Sequence, residues 1–515
     1  MSHWIVAPIV LPAILAPFII MVLRYHLDLQ RIFSVAGTVG LLGIALTLTA
    51  QASGGEIQVY ELGNWPAPFG IVLVLDRMSA MMVLLTAVLA LPVVLYAIGS
   101  GWDERGRHFH PLFQFQLMGV CGAFLTGDAF NLFVFFEVLL IASYGLMTHG
   151  GGAVRLKAGV QYVTYNLLGS TLFLFALGTI YAVTGTLNMA DLAVRVAEIP
   201  DEDTALLRVG AVLLLLVFCV KAAVLPLHFW LPASYANAPL PVAALFAIMT
   251  KVGSYSILRV YTLVFGPDVN ATAGLIGDWL LPAALLTLAV GTIGILGAQH
   301  IARMVAFGAI ASMGTLLIAV SLFTEEATAA ALYYTVHSTF AAALLFLTAD
   351  LVMRRQGGAI AGFAPMAQSG LIASLFFAGA IALAGMPPLS GFVGKLLILD
   401  ASRDATDFAV IWAVILISSF VTIVGLARAG SLIFWKSHEG RHNTEADPEN
   451  ADELPHLPAP EPNPGLAFSA VFGSLAGLVV LTIFAGPALD YAESTADQLF
   501  APESYIEAVL GGDQE

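Results

Sequence analysis

The sequence predicts an all-α polytopic membrane protein with about 14 transmembrane helices, and three observations predict it. Of the 515 residues, 59% are hydrophobic and 11% charged, with a mean hydropathy of +0.89. An ordinary globular domain runs near about 25% charged, so this composition cannot cover a water-soluble surface of that size. Apolar stretches of about 20 residues, each long enough to cross a ~30 Å hydrocarbon core, recur from one end of the chain to the other. The longest polar stretches, roughly Lys436–Gly465 and Asp490–Glu515, are too short and too poor in apolar residues to fold as a catalytic domain.

Breaks at polar, Gly and Pro clusters mark the apolar spans at 5–23, 32–50, 78–98, 111–127, 129–148, 158–184 and 205–231, then at 241–265, 275–298, 304–323, 327–352, 370–401, 407–435 and 466–487. The first lacks a basic leading region and a small-residue cleavage site, so it reads as a retained helix and not a signal peptide. Orientation follows from the positive charges. Eleven Arg and Lys residues, running from Arg24 and Arg31 to Lys436 and Arg441, fall in loops on one side; four, Arg77, Arg195, Arg208 and Arg403, fall on the other. The bias puts both termini outside.

Spans 7 (205–231) and 12 (370–401) are long and interrupted by proline, at Pro226 and at Pro387-Pro388. Proline removes the bond to the carbonyl four residues back, which frees the carbonyls of Ala222, Leu383 and Ala384. Lipid cannot satisfy such backbone, so both breaks are expected to line an enclosed or wet cavity. Paired broken helices in two halves of a transporter mark inverted repeats. The organisation expected is three N-terminal helices over 1–110, a first inverted five-helix repeat over 111–265 (helices 4–8) and a second over 266–435 (helices 9–13). An acidic cytoplasmic loop over 436–465 follows, then a last helix with an acidic tail over 466–515.

Charges inside the spans carry the most information. Glu137 lies within span 5, Lys221 just before the Pro226 break, Lys251 within span 8 and Lys395 just beyond the Pro387-Pro388 break. Each central charge costs ~2.5–3.5 kcal/mol on insertion, so four cost roughly 10–14 kcal/mol. Lys221 and Lys251 are too far from a helix end to snorkel. One intramembrane carboxylate leaves at least two lysines without an acidic partner, and such a lysine exchanges a proton more readily. His337, in span 11, has two readings, a proton relay and a hydrogen-bonded packing residue. His228, just past Pro226, divides the same way, and Asp400 is a secondary candidate beyond Lys395. Arg259 and Arg428 lie nearer helix ends, where snorkelling or a local carboxylate explains them.

Several classes are excluded. The nearest approach to a phosphate loop, Ser390-Gly391-Phe392-Val393-Gly394-Lys395-Leu396, lacks its first Gly and its hydroxyl. No C-x-x-C pair occurs, and Cys121 and Cys219 sit in apolar spans as small core residues. His438-Glu439-Gly440-Arg441-His442 repeats the spacing of a zinc protease, but in a polar loop with a central Gly, and reads as coincidence. The net charge of -15 speaks against nucleic acid. Neither a metal nor a cofactor is expected.

At Glu137, Lys221, Lys251 and Lys395 the sequence resembles the antiporter-like membrane subunits shared by Mrp-type cation/proton antiporters and respiratory complex I. The phrases Leu132-Phe-Val-Phe-Phe-Glu137, Lys221-Ala-Ala-Val-Leu-Pro-Leu-His228-Phe-Trp-Leu-Pro232 and Gly385-Met-Pro-Pro-Leu-Ser-Gly-Phe392 carry the likeness. The loop Leu62-Gly-Asn-Trp-Pro-Ala-Pro-Phe-Gly-Ile71 is similar to that of the D-type branch on the Mrp side. The resemblance implies a subunit of a Na⁺/H⁺ (monovalent cation/proton) antiporter in a bacterial or archaeal cell membrane, driven by the proton gradient. It implies partners of the A, B, C, E, F and G types and proton movement along Glu137, Lys221, Lys251, His337 and Lys395, with Pro226, Pro387 and Pro388 as the helix breaks. Glu137 and Lys221 would form a switchable pair. The alternative is a proton-pumping subunit of complex I or of a membrane-bound hydrogenase. Relatives often carry a lysine four or five residues after the helix-11 histidine; here Ala341 and Ala342 stand there, which shifts the burden to His337 and water.

Overall fold

The computed structural model describes residues 3–200, 204–266, 269–363, 366–436 and 464–511. In chain order its elements are α1 (Ala7–Met21), α2 (Leu27–Ala52), a hairpin of β1 (Gln58–Glu61) and β2 (Val72–Leu75), α3 (Arg77–Gly99), α4 (Phe109–Leu125), α5 (Ala129–Met147) and α6 (Ala153–Thr184). There follow α7 (Met189–Ala197), α8 (Ala205–Ala222), α9 (Trp230–Asn237), α10 (Leu240–Leu245), α11 (Ala247–Leu263), α12 (Leu281–Gly297), α13 (Ile301–Leu322) and α14 (Glu325–Gln356). The chain ends with α15 (Ser369–Ala384), α16 (Ser390–Ala401), α17 (Phe408–Gly430), α18 (Pro464–Ile483), α19 (Ala485–Phe500) and α20 (Glu503–Leu510). Among the described residues eleven helical stretches are long and apolar enough to cross a membrane, and α1, α4 and α15 are shorter apolar helices. The chain is an all-α, multi-pass membrane protein. Its centre is α10–α11, α13 and α14, whose residues are almost wholly buried.

Helix starts follow local chemistry. Asp76 and Ser79 close a reciprocal capping box on α3, with Ser79 N donating to Asp76 Oδ1 at 2.8 Å and Asp76 N to Ser79 Oγ at 2.9 Å. Asp128 caps α5 by accepting from Asn131 N at 2.7 Å. Glycines set two close approaches: Gly119 of α4 lies on the Leu139 backbone of α5, and Gly122 on the Phe135 ring. With the same spacing, Gly291 of α12 lies on the Ala311 backbone of α13, and Gly294 on the Phe307 ring. A Cβ at any of the four would overlap its neighbour.

The structure departs from the sequence expectations at the C-terminus. The last span, expected to reach Pro487, ends at Ile483, and Pro487 falls in the first turn of α19, where its missing N–H costs nothing. What reads as an acidic tail is two helices that fold back: Tyr491 donates to Arg77 O at 2.9 Å and Gln498 to Gly55 O at 3.1 Å. The His3 ring meets Tyr60 of β1, 5.8 Å between centroids, so both ends of the described chain lie on the face that carries the hairpin. Most of the acidic loop over 436–465, the His438–His442 motif and the last four residues lie outside the described residues.

Candidate functional site

Both broken helices form where proline requires it. In the first, α8 stops at Ala222 and the chain resumes helix only at Trp230; Leu225 N donates to Thr287 Oγ1 at 2.8 Å and the Trp230 indole to Val220 O at 3.0 Å. In the second, α15 stops at Ala384 and α16 begins at Ser390. Here Lys395 Nζ reaches back to the Ala384 carbonyl at 2.9 Å and the Leu383 carbonyl at 3.4 Å, the two that Pro388 and Pro387 leave free. Its third partner is Ser419 Oγ on α17 at 2.8 Å. Pro226, Pro387 and Pro388 themselves are exposed on the surface of the chain, while the freed carbonyls of Ala222, Leu383 and Ala384 belong to buried residues. The physical reason is that proline has no N–H to satisfy, so it can face outward while the polar backbone turns in.

Lys221 is 4% exposed, and its ammonium has no hydrogen-bond partner among the described residues. It lies 5.9 Å from the centre of the Phe136 ring and within electrostatic range of Glu137. The half-buried Glu137 carboxylate accepts instead from the hydroxyl of Ser170 on α6. Ser170, Phe136 and Lys221 line one small cavity, whose ≈ 10 Å³ is about the room one water needs. Glu137 and Lys221 therefore interact electrostatically without a direct ion pair among the described residues. The Phe-rich run around Glu137 is packing surface, with Phe136 against Phe173 and Phe218 at 5.4 and 6.3 Å between centroids.

Among the described residues the hydrogen-bond partner of the Lys251 ammonium, 1% exposed, is the thioether of Met313 on α13, Nζ to Sδ 3.3 Å, and a thioether is a weak acceptor. His337 is buried on α14, its Nδ1 2.9 Å from Ser390 Oγ at the start of α16 and its ring 5.4 Å from that of Tyr334. Both Lys251 and Lys395 lie within electrostatic range of it. His228 is buried in the first break, against the Phe229 ring at 4.4 Å, with Nδ1 unpartnered. Asp400 stands apart: it is exposed, pairs with Arg403 at 2.8 Å and lines a cavity of ≈ 450 Å³ with Glu325, Glu326, Glu493 and Asp497.

The charges nearer helix ends have local partners. Arg259 binds Asp76 through two nitrogens, at 2.6 and 2.9 Å, with both side chains buried. Arg428 donates to the carbonyls of Leu296 and Ala298 at 2.9 and 3.0 Å, capping the end of α12. Cys121 and Cys219 are buried free thiols. Sequence reasoning missed Ser170, Met313, Ser390 and Ser419, because small hydroxyls and methionine are ordinary in membrane helices. Among the described residues no group of three His, Cys, Asp or Glu side chains could hold a metal.

The fold is thus a multi-pass helical bundle with three buried lysines along its core, none paired with a carboxylate among the described residues. Residues 126–422 match the family model described as NADH:quinone oxidoreductase/Mrp antiporter, TM. The chain is 39% identical to the D-type component of a probable K(+)/H(+) antiporter of Rhizobium meliloti (strain 1021), covering 99% of this chain and 98% of that one. It is 38% identical to the D-type component of the Na(+)/H(+) antiporter of Alkalihalophilus pseudofirmus, covering 99% of this chain and 100% of that one. A chain in the structure of the Mrp complex from Dietzia sp. DQ12-45-1b superposes with a TM-score of 0.85 at 30% identity, covering 99% of this chain and all of that one. The chain belongs to the NADH:quinone oxidoreductase/Mrp antiporter membrane family.

Proposed function

We propose that the chain is the D-type, ion-translocating subunit of a multisubunit monovalent cation/proton antiporter, a secondary active transporter of the cell membrane driven by the proton gradient. The single observation that carries the mechanism is Lys221, a buried ammonium left without a partner beside a carboxylate that is held by Ser170. An unpaired buried charge is costly, so this open state favours release of the proton, while closure of the Glu137–Lys221 pair favours its retention. Lys251 receives the proton and, since the Met313 thioether stabilises its charge only weakly, passes it on readily. His337, with Ser390 on Nδ1, and intervening water carry it to Lys395, whose contacts with the Leu383 and Ala384 carbonyls and Ser419 make it the gate of the second half. One charge crossing ~100 mV is worth ~2.3 kcal/mol, a scale that opening and closing one buried pair can match.

The two inverted repeats, helices 4–8 and 9–13, are part of this reading. The matched glycine contacts of α4 on α5 and of α12 on α13 support it. So does the pair of isolated bridges in front of α5 and α13, Asp128 with Asn188 and His300 with Ala359. The bias of positive charge supports both termini outside. The relatives are named for different cations, K⁺ in one and Na⁺ in the other, so both are assayed.

The test is cation-triggered collapse of ΔpH in everted vesicles from an antiporter-deficient host expressing the full set of subunits. Glu137→Gln and Lys221→Ala are expected to abolish the response with assembly intact on a blot. Wild-type exchange in either assembled variant refutes the axis. An assembled wild-type complex that responds to neither Na⁺ nor K⁺ refutes antiport and favours a redox-driven pump.

A further inference from the structure

At the face opposite the hairpin, the turn between α1 and α2 and the loop between α3 and α4 enclose an open cavity of ≈ 270 Å³. Three guanidiniums line it, Arg24, Arg105 and Arg107, and none has a carboxylate partner among the described residues. The two acids on its wall are already engaged. Asp103 accepts from Arg31 Nε at 2.7 Å and faces His110 Nε2 at 3.2 Å, and Glu104 accepts from Arg31 Nη2 at 2.6 Å. The cavity is therefore net positive at neutral pH.

One of the three arginine side chains, and the backbone that carries a second, are held in place. Arg105 lies 3.9 Å from the centre of the buried Trp102 ring, and the Trp102 indole is anchored on Asp350 at 3.0 Å. Gln30 donates to the carbonyls of Leu23 and Arg24 at 2.9 and 3.2 Å, which fixes the turn carrying Arg24. Burial, and then the neighbouring charge of Arg354, push the Arg105 guanidinium below its ordinary pKa, against the opposing pull of Asp350. Beside the cavity, Met21, Val22, Tyr25 and Ile32 present exposed apolar side chains.

We propose that this cavity binds the phosphate of an anionic lipid headgroup, with Arg24, Arg105 and Arg107 on the phosphate oxygens and the acyl chains along the apolar surface of α1 and α2. Guanidiniums match phosphate oxygens with paired N–H donors, and a fixed pocket loses little freedom on binding. The adjoining apolar surface selects a lipid over free phosphate, which has nothing to place there.

The experiment is thermal unfolding of the purified complex in dodecyl maltoside, titrated with dioleoyl phosphatidylglycerol, dioleoyl phosphatidylcholine or inorganic phosphate. Phosphatidylglycerol is expected to raise the melting temperature, and the other two are not. Each arginine near a membrane surface contributes about fivefold in affinity, so Arg24→Gln with Arg107→Gln shifts the phosphatidylglycerol titration about 25-fold. Arg105→Gln, made separately, shifts it about fivefold. Both variants keep Trp102 on Asp350, and an unchanged melting temperature without lipid shows that they fold. Equal titrations in wild type and both variants overturn the proposal. Protection by inorganic phosphate that the variants lose overturns the lipid as occupant.

Discussion

Ser170→Ala tests the proposed switch between an open and a closed Glu137–Lys221 pair. In the structure the Ser170 hydroxyl donates to Glu137, while Lys221 stays unpartnered. On the proposed switch the serine stabilises the open state, and its bond to Glu137 is given up when the pair closes. A hydrogen bond to a charged group is worth about 1.5–3 kcal/mol, and its loss moves the equilibrium toward the closed pair by roughly 10- to 150-fold. If release from Lys221 limits turnover, exchange slows by at least about tenfold. The assay is the initial rate of cation-triggered ΔpH collapse in everted vesicles, normalised to assembled complex. Ser170→Thr keeps the hydroxyl and is expected to retain most of the rate. Exchange within about twofold of wild type in assembled Ser170→Ala would refute the switch.

Three more outcomes follow from the contacts. Lys395→Ala strands the carbonyls of Leu383 and Ala384, at about 1–3 kcal/mol each; both a lower melting temperature of the complex and loss of exchange are expected, and an unchanged melting temperature would show that the lysine does not cap the broken helix. Asp76→Asn leaves Arg259 buried without its carboxylate, which costs about 3–5 kcal/mol, and is read as loss of assembled complex at growth temperature. Asp103 is a pH marker outside the spans: burial pushes its carboxyl up, but His110 and Arg31 outweigh that and hold it below the usual range. A depressed carboxylate stabilises above its unfolded pKa and loses that contribution as pH falls through its folded one. The gap in melting temperature between wild type and Asp103→Asn should stay constant from about pH 8 to 5 and close only below about pH 4. A gap already closed at pH 6 would refute the depressed carboxylate.

The spans and the breaks were legible because their causes are local. Twenty apolar residues cross a bilayer whatever surrounds them, and Pro226 and Pro387-Pro388 interrupt any helix they enter. The carbonyls of Leu383 and Ala384 were identifiable as freed groups from the position of the prolines, but not that Lys395 would cap them. The two C-terminal helices were misread for the converse reason. An amphipathic stretch such as Ala485–Phe500 looks like a polar tail until a surface exists for its apolar side, here α14 and α3.

The sequence by itself determined which segments enter the membrane and which charges go in with them. The insertion cost that makes Glu137, Lys221, Lys251 and Lys395 informative is a sum over single residues. Only the tertiary structure decided what each of these charges meets: for Lys221 the Phe136 ring and no hydrogen-bond partner among the described residues, a thioether for Lys251, two carbonyls and a serine for Lys395, and a hydroxyl for Glu137. Burial is paid residue by residue along the chain, whereas satisfaction of a polar group is pairwise through space. It depends on which helix faces pack together, as in Arg259 and Asp76, far apart in sequence and 2.6 Å apart in the fold.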